Sequence, residues 1–281
     1  MPGTVDEIRQ QQRDTWDRFS TGWKKWDELV LGWLAPFADA MLRLSHLRED
    51  AHVLDVAAGT GEPGLTAATM VPHGNVTVTD LSERMLAVAS ENASRRDLTN
   101  FTTRVCDAGA LPFPDASFDN VLCRFGFMFF PEVSVAAREF ARVAKPGARI
   151  CAAVWSGPDK NPWATTIMST ISRHIEMPAP PPGSPGLFRC APAGLMRTAF
   201  EDAGLTELHE EEVSSTMSHA SPEKYWDFMT DIAAPVVAGL AKADTATQAQ
   251  IRGEVLALAR GFIQDGRVQL RSTATVIVGT R

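Results

Sequence analysis

Three aspartates and a glycine-rich turn are the residues of this chain best placed to hold a ligand. Asp55 lies inside the apolar run Val53-Leu54-Asp55-Val56-Ala57-Ala58, which leads into Gly59-Thr60-Gly61 and on to Gly64. Asp80 closes a second apolar run, Val76-Thr77-Val78-Thr79, 19 residues past Gly61. Asp107 follows a third run, Phe101 to Cys106. Glycines let the backbone turn sharply and let a ligand approach with no Cβ in the way. A carboxylate at the end of the second run, at this distance from the turn, suits an acceptor for ribose hydroxyls.

Elements of an open sheet must position these groups. The pattern predicts strands at Val53–Ala57, Val76–Thr79, Phe101–Cys106, Phe118–Cys123 and Ala148–Val154, with two more at Leu205–Val213 and Leu270–Val278. Helices are expected at Gly64–Met70, Ser82–Arg95, Val133–Val143 and Pro192–Ala203. Ser82 is a good N-cap, and Lys145-Pro146-Gly147 reads as a helix stop. Alternating strands and helices imply an α/β fold, a mainly parallel sheet covered on both faces. Three segments fall outside it. Residues 1–44 hold Trp16, Trp23, Trp26 and Trp33 and read as a helical lid, with an apolar face interrupted near Gly22. Residues 157–188 contain a helical stretch, Trp163–Ile175, and end in Pro178-Ala179-Pro180-Pro181-Pro182-Gly183. Residues 216–267 read as two or three helices. The latter two segments are expected as cap insertions over a substrate pocket.

Gly59-x-Gly61-x-x-Gly64 with Asp80 fits NAD and S-adenosylmethionine equally, since both carry an adenosine ribose. Two features separate them. Asp55 sits where a dinucleotide fold usually carries an apolar residue, and Cys106-Asp107-Ala108-Gly109-Ala110-Leu111-Pro112-Phe113-Pro114-Asp115-Ala116-Ser117-Phe118-Asp119 follows the third strand. In the ordered motifs VLDVAAGTG, VTVTDLSERML, CDAGALPFPDASFDNV and FARVAKPGARI, the chain resembles class I S-adenosylmethionine-dependent methyltransferases. More narrowly it resembles the branch that includes ubiquinone/menaquinone C-methyltransferases and many small-molecule methyltransferases. The motifs span about a third of the chain, Val53 to Val154.

The resemblance implies a Rossmann-like, doubly wound seven-stranded sheet with an antiparallel last strand, and a methyltransferase domain over 45–281. It implies S-adenosyl-L-methionine as cofactor and methyl transfer to a small, partly apolar molecule by in-line displacement. Ala57, Gly59, Thr60 and Gly61 would pass the methionine half. Asp55 would organise that loop and reach the amino group, or simply cap loop amides. Asp80 would bind both ribose hydroxyls. Leu81 and Met85 would line the adenine, Asp107 would accept from its amino group, and the Ala108 amide would face a ring nitrogen. Cys123 falls at the ligand edge of its strand. Arg124 could pair with the cofactor carboxylate or an acidic substrate, and Phe127 and Met128 suit a pocket wall for an apolar acceptor. Trp16 and Trp23 could close a lid over the cationic sulfonium, an attraction of about 0.5–2 kcal/mol. No general base is visible among six histidines and the single tyrosine, Tyr225. A nicotinamide-dependent oxidoreductase and a non-catalytic cofactor-binding module are the rival readings.

Composition bounds the partners. A formal charge of −7 argues against nucleic acid, and no apolar run is long enough to span a membrane. Met1-Pro2-Gly3-Thr4-Val5-Asp6-Glu7 does not read as a signal peptide. The four cysteines show no metal spacing and suit a reducing cytoplasm, where the protein is expected.

Overall fold

The computed structural model describes residues 4–177, 181 and 183–281. Met1, Pro2 and Gly3 at the start of the expected lid, and Pro178, Ala179, Pro180 and Pro182 of the expected proline run, lie outside the described residues.

The central strand, β1 (His52–Val56), is buried along nearly its whole length, as a strand flanked and covered on all sides must be. Asp55, the polar residue in that run, is wholly buried with it. Around it lie β2 (Asn75–Asp80), β3 (Phe101–Val105), β4 (Phe118–Arg124) and β5 (Ala144–Trp155), then β6 (Thr206–His219), β7 (Ile263–Gln264) and β8 (Arg267–Thr280). The order is β3-β2-β1-β4-β5-β8-β6, with short β7 paired to β8. From β3 to β5 all neighbours are parallel, while β8 is antiparallel to both β5 and β6. The sheet is therefore α/β, doubly wound and mostly parallel. The order reverses between β1 and β4, so the loops leaving these strands diverge and open a crevice at the carboxyl edge.

Helices α3 (Gly64–Met70) and α4 (Glu83–Arg95) pack on one face beside β2 and β3, with Ser82 capping α4 through the Met85 amide. Helices α5 (Val133–Val143) and α7 (Leu195–Asp202) pack together on the other. The remaining helices are α1 (Val5–Lys25), α2 (Asp27–Ser45), α6 (Pro162–His174), α8 (Pro222–Ile232), α9 (Ala234–Leu240) and α10 (Thr245–Arg260).

Several expectations change. The first 44 residues split into two unlike helices. α2 buries Trp33, Leu34, Phe37 and Met41 against β5, β6 and β8, so it belongs to the core. α1 packs on α4 and α8 and buries far less. Gly22 is not where the helix stops, since the break falls at Trp26. A Cβ on Gly22 would lie 2.1 Å from the Asp231 carbonyl oxygen, so the residue serves the close approach of α1 to α8. Lys145-Pro146-Gly147 begins β5 rather than ending α5.

β6 runs six residues past the expected Val213. Trp155 ends β5 level with Ala274, which also pairs with Val213, so Ser214–His219 and Arg267–Thr273 form a ribbon projecting beyond the carboxyl edge. Helices α8, α9 and α10 lie between the two strands of that ribbon, the first of them beginning at Pro222. Asn161 fastens α6 to the ribbon: its amide donates to the Ser156 and Thr273 carbonyls, and its oxygen accepts from Thr273 N and Trp163 Nε1.

Candidate functional site

At the end of β1 the chain turns through Ala57 and Gly59, both in the left-handed region (φ 58° and 56°), and nothing stands within 4 Å of where a Gly59 Cβ would be. The turn is tied to β2 by Asp80. One carboxylate oxygen accepts from Gly59 N and the other from Ser82 N, each at 2.9 Å. Burial raises its pKa despite these amides. Asp107 accepts from Gly109 N at 3.0 Å, and its other oxygen lies 2.6 Å from Arg9 Nε, an ion pair whose N–H is not aligned on the oxygen. Helix α1 reaches the same loops through Asp17, which accepts from Ser82 Oγ at 2.5 Å.

Asp55 lies behind this turn, off the cavity wall. One oxygen accepts from Gly64 N at 2.8 Å at the start of α3, and the other has no hydrogen-bond partner among the described residues. Burial pushes its pKa up to about 8.

The loops, together with α1, α2, α6, α8 and α9, line a cavity of about 500 Å³. Its walls include Ala57, Gly59, Thr60, Asp80, Leu81 and Met85, then Asp107 and Ala108, then Arg124 and Met128, with Trp16 and Trp23 from α1. Four expected residues stay off the wall. Asp55 is enclosed as described. Gly61 turns toward Leu65 and Ala89. Cys123 is fully buried beside Gly126, and its burial holds the thiol well above its usual pKa. Phe127 sits in a single 3₁₀ turn, Phe127–Phe129, packed among Phe130, Phe140 and Phe200.

The sequence reading missed Arg9, Glu62, Trp155 and Met229 on the wall. Trp155 lay one residue past the expected strand, and Arg9 is one of many charges on a solvated helix face, so neither carried a distinguishing signal. The far half of the cavity is apolar. Trp33, Trp155, Trp163, Met168, Met229 and Val236 converge there from α2, β5, α6, α8 and α9. Phe125 stacks on Trp155 at 4.0 Å and 12°, and Trp33 stacks on Trp155 at 5.6 Å and 15°.

The titratable wall residues gather at the loop end: Arg9, Glu62, Asp80, Cys106, Asp107 and Arg124. Among the described wall residues there is no histidine, tyrosine or lysine. Tyr225 is spent on the Trp163 carbonyl at 2.7 Å, and His174 pairs with Glu254 across α6 and α10 at 2.9 Å. His219 lies among Trp26, Tyr225 and Phe228, with both ring nitrogens unpartnered among the described residues and its pKa lowered by burial to about 4.

Residues 53–147 match the family profile described as Methyltransferase domain. A demethylmenaquinone methyltransferase of Listeria monocytogenes is 37% identical over 135 residues, 48% of this chain and 56% of that protein. The chain thus spans just over half the length of the first curated relatives it matches. An uncharacterized protein of Mycobacterium bovis is 28% identical over 239 residues, 84% of each chain. Among solved structures, phosphoethanolamine N-methyltransferase 2 of Haemonchus contortus, with phosphomonomethylethanolamine and S-adenosylhomocysteine, has a TM-score of 0.58 at 18% identity. That match covers 96% of this chain and 59% of the other, and it is a likeness of fold.

Proposed function

We propose that this chain, a member of the class I S-adenosylmethionine-dependent methyltransferases, moves a methyl group by in-line displacement onto a small, partly apolar molecule. The observation that carries the reading is one continuous cavity with a polar, backbone-tethered end and an aromatic, apolar end. S-adenosylmethionine, when bound, supplies an electrophilic methyl group on a sulfonium. The residues present fit it: Gly59 leaves open space among the described residues, and Asp80 presents a carboxylate fixed by two backbone amides.

In this reading Asp80 accepts from the ribose hydroxyls, held rigid by Gly59 N and Ser82 N. Leu81, Met85 and Ala108 flank the adenine, and Asp107 accepts from its exocyclic amine. Asp55 shapes the loop from behind by holding Gly64 N. Trp16 and Trp23 cover the reacting centre and exclude water, while the aromatic end orients the acceptor. With the titratable groups at the other end, the acceptor brings its own nucleophilicity: a thiolate, a neutral amine or an electron-rich ring carbon. The proposed organisation is a lid formed by α1, a core that includes α2, and a cap on α6 and α8–α10. The protein is proposed to act in the cytoplasm, where its four free cysteines stay reduced.

The test is a screen of quinols, phenols, thiols and amines with cofactor labelled on the methyl group, alongside calorimetry with S-adenosylmethionine and NAD. Label in an apolar acceptor is the expected result. Binding of NAD with no response to S-adenosylmethionine would sink the reading.

A further inference from the structure

Arg124 ends β4 and lines the cavity, yet among the described residues its guanidinium forms no hydrogen bond or ion pair. The charges nearest to act on it are Glu62, Asp55 and Asp27, and each is already engaged elsewhere. Glu62 pairs with Arg96 at 2.7 Å and accepts from Thr66 N at 3.2 Å. Asp55 holds Gly64 N at 2.8 Å. Asp27 faces Asn92 at 3.5 Å and Arg95 at 3.9 Å.

A guanidinium cannot shed its proton in a protein, and this one, half-buried on the cavity wall, leaves its five donors to whatever fills the cavity. Here burial weighs against the charged form, in spite of the surrounding acids. The backbone beside it is also held in an uncommon state. Phe125 has φ 61°, a left-handed conformation rare for a bulky residue. Its amide donates to the Ala153 carbonyl at 2.8 Å, and its ring is stacked on Trp155. Gly126, next in line, has no room for a Cβ, which would meet Cys123 Sγ at 2.7 Å and the Ala57 Cβ at 2.8 Å. The turn that bears Arg124 is thus held by its surroundings in a strained form, of the kind that clusters at ligand sites.

We propose that Arg124 is the receptor for a carboxylate inside the cavity, and that it serves ligand binding rather than folding. Guanidinium and carboxylate match as a planar, bidentate pair. The carboxylate comes from the amino-acid tail of the cofactor or from an acidic acceptor. The proposal rests on the methyl-transfer reading for the nature of the ligands.

The experiment uses the full chain with Arg124→Met and Arg124→Gln. Melting temperature is measured first, because removing a guanidinium with no partner among the described residues should leave the fold about as stable. Calorimetry then compares S-adenosylhomocysteine, which bears the carboxylate, with methylthioadenosine, which lacks it, and titrates benzoate into the S-adenosylhomocysteine-loaded protein. A loss of at least tenfold for S-adenosylhomocysteine with methylthioadenosine unchanged supports the proposal and assigns the cofactor tail. Unchanged nucleoside affinities with loss of benzoate binding support it and assign an acidic acceptor. Full retention of all three affinities overturns it, as does a melting temperature well below wild type in both variants. Wild-type protein that binds neither nucleoside ligand overturns the methyltransferase reading, and the proposal with it.

Discussion

The two ends of the cavity are built by opposite means. The loop end comes from a short stretch of chain: Ala57, Gly59, Asp80 and Asp107 follow three successive strands, and backbone amides fix both aspartates. The aromatic end draws on residues as distant as Trp16 and Val236, brought together by α1, α2, α6, α8 and α9. One end is specified locally by hydrogen bonds, the other globally by packing. Damage at the loop end should therefore appear as lost affinity, and damage at the aromatic end as lost stability or lost orientation, according to how deep the residue lies.

The largest expected effect is at Trp33. It is buried, donates from Nε1 to Ser272 Oγ at 2.8 Å, and packs against Trp155, Trp163 and Phe228. Trp33→Ala should destabilise by about 3–5 kcal/mol, as removal of a large buried ring does. Denaturant melts would measure it, and a cost below about 1 kcal/mol would show that α2 is lid after all. Asp80→Ala comes next. It should weaken cofactor binding more than tenfold, about 1.5–3 kcal/mol for a charge-assisted bond lost. It also strands the Gly59 and Ser82 amides, so circular dichroism on the same sample must show that the variant is folded. Unchanged affinity would reduce Asp80 to a loop tether. Trp16→Ala should follow. Trp16 is half-buried with edge contacts to Trp23 (6.1 Å) and Phe129 (5.2 Å), so its loss should cost stability little. Turnover should fall about tenfold, about 1.4 kcal/mol in barrier, with cofactor affinity nearly intact. Full turnover would mean that α1 only packs.

What could be read from the sequence follows the same division. The sheet, the bounds of α3 and α5, and the loop aspartates were legible because strand, turn and helix signals there are local and short-range. The split of residues 1–44 was not, because the apolar spacing of Trp16, Trp23 and Trp26 runs on into that of Trp33 and Phe37. Only tertiary packing separates the helix that is buried from the one that lies across the site. The ribbon beyond Val213 was missed because Ser214-Ser215-Thr216-Met217-Ser218-His219 is small and polar and reads as loop. It pairs because β8 continues opposite it. Asp55 and Cys123 were placed at the ligand because strand position gives depth along the sheet but not which face of a loop the side chain meets.

A single titration tests both ends at once. Asp55 belongs to the loop end, and its folded pKa is raised from 3.8 to about 8, chiefly by burial. The folded state therefore holds a proton that the unfolded chain has released, so the Asp55 contribution is full below pH 3.8 and is lost as pH rises toward 8. His219 belongs to the cap, where Trp26, Tyr225 and Phe228 surround it and Arg267 is the neighbouring charge. Its folded pKa is lowered from 6.5 to about 4, so its contribution is present above pH 6.5 and is lost as pH falls toward 4. Below pH 6.5 the two slopes oppose each other, and above it the loop end alone declines. Melting temperatures across pH 4 to 8 should flatten above pH 6.5 in Asp55→Asn, while His219→Leu should leave the Asp55 decline unopposed below pH 6.5. Hydrogen exchange should place the alkaline loosening in the loop after β1 and the acid loosening in α8 and the ribbon. Loosening of both regions together at either limit would mean that the two ends of the cavity fold as one unit, and the contrast between them would not hold.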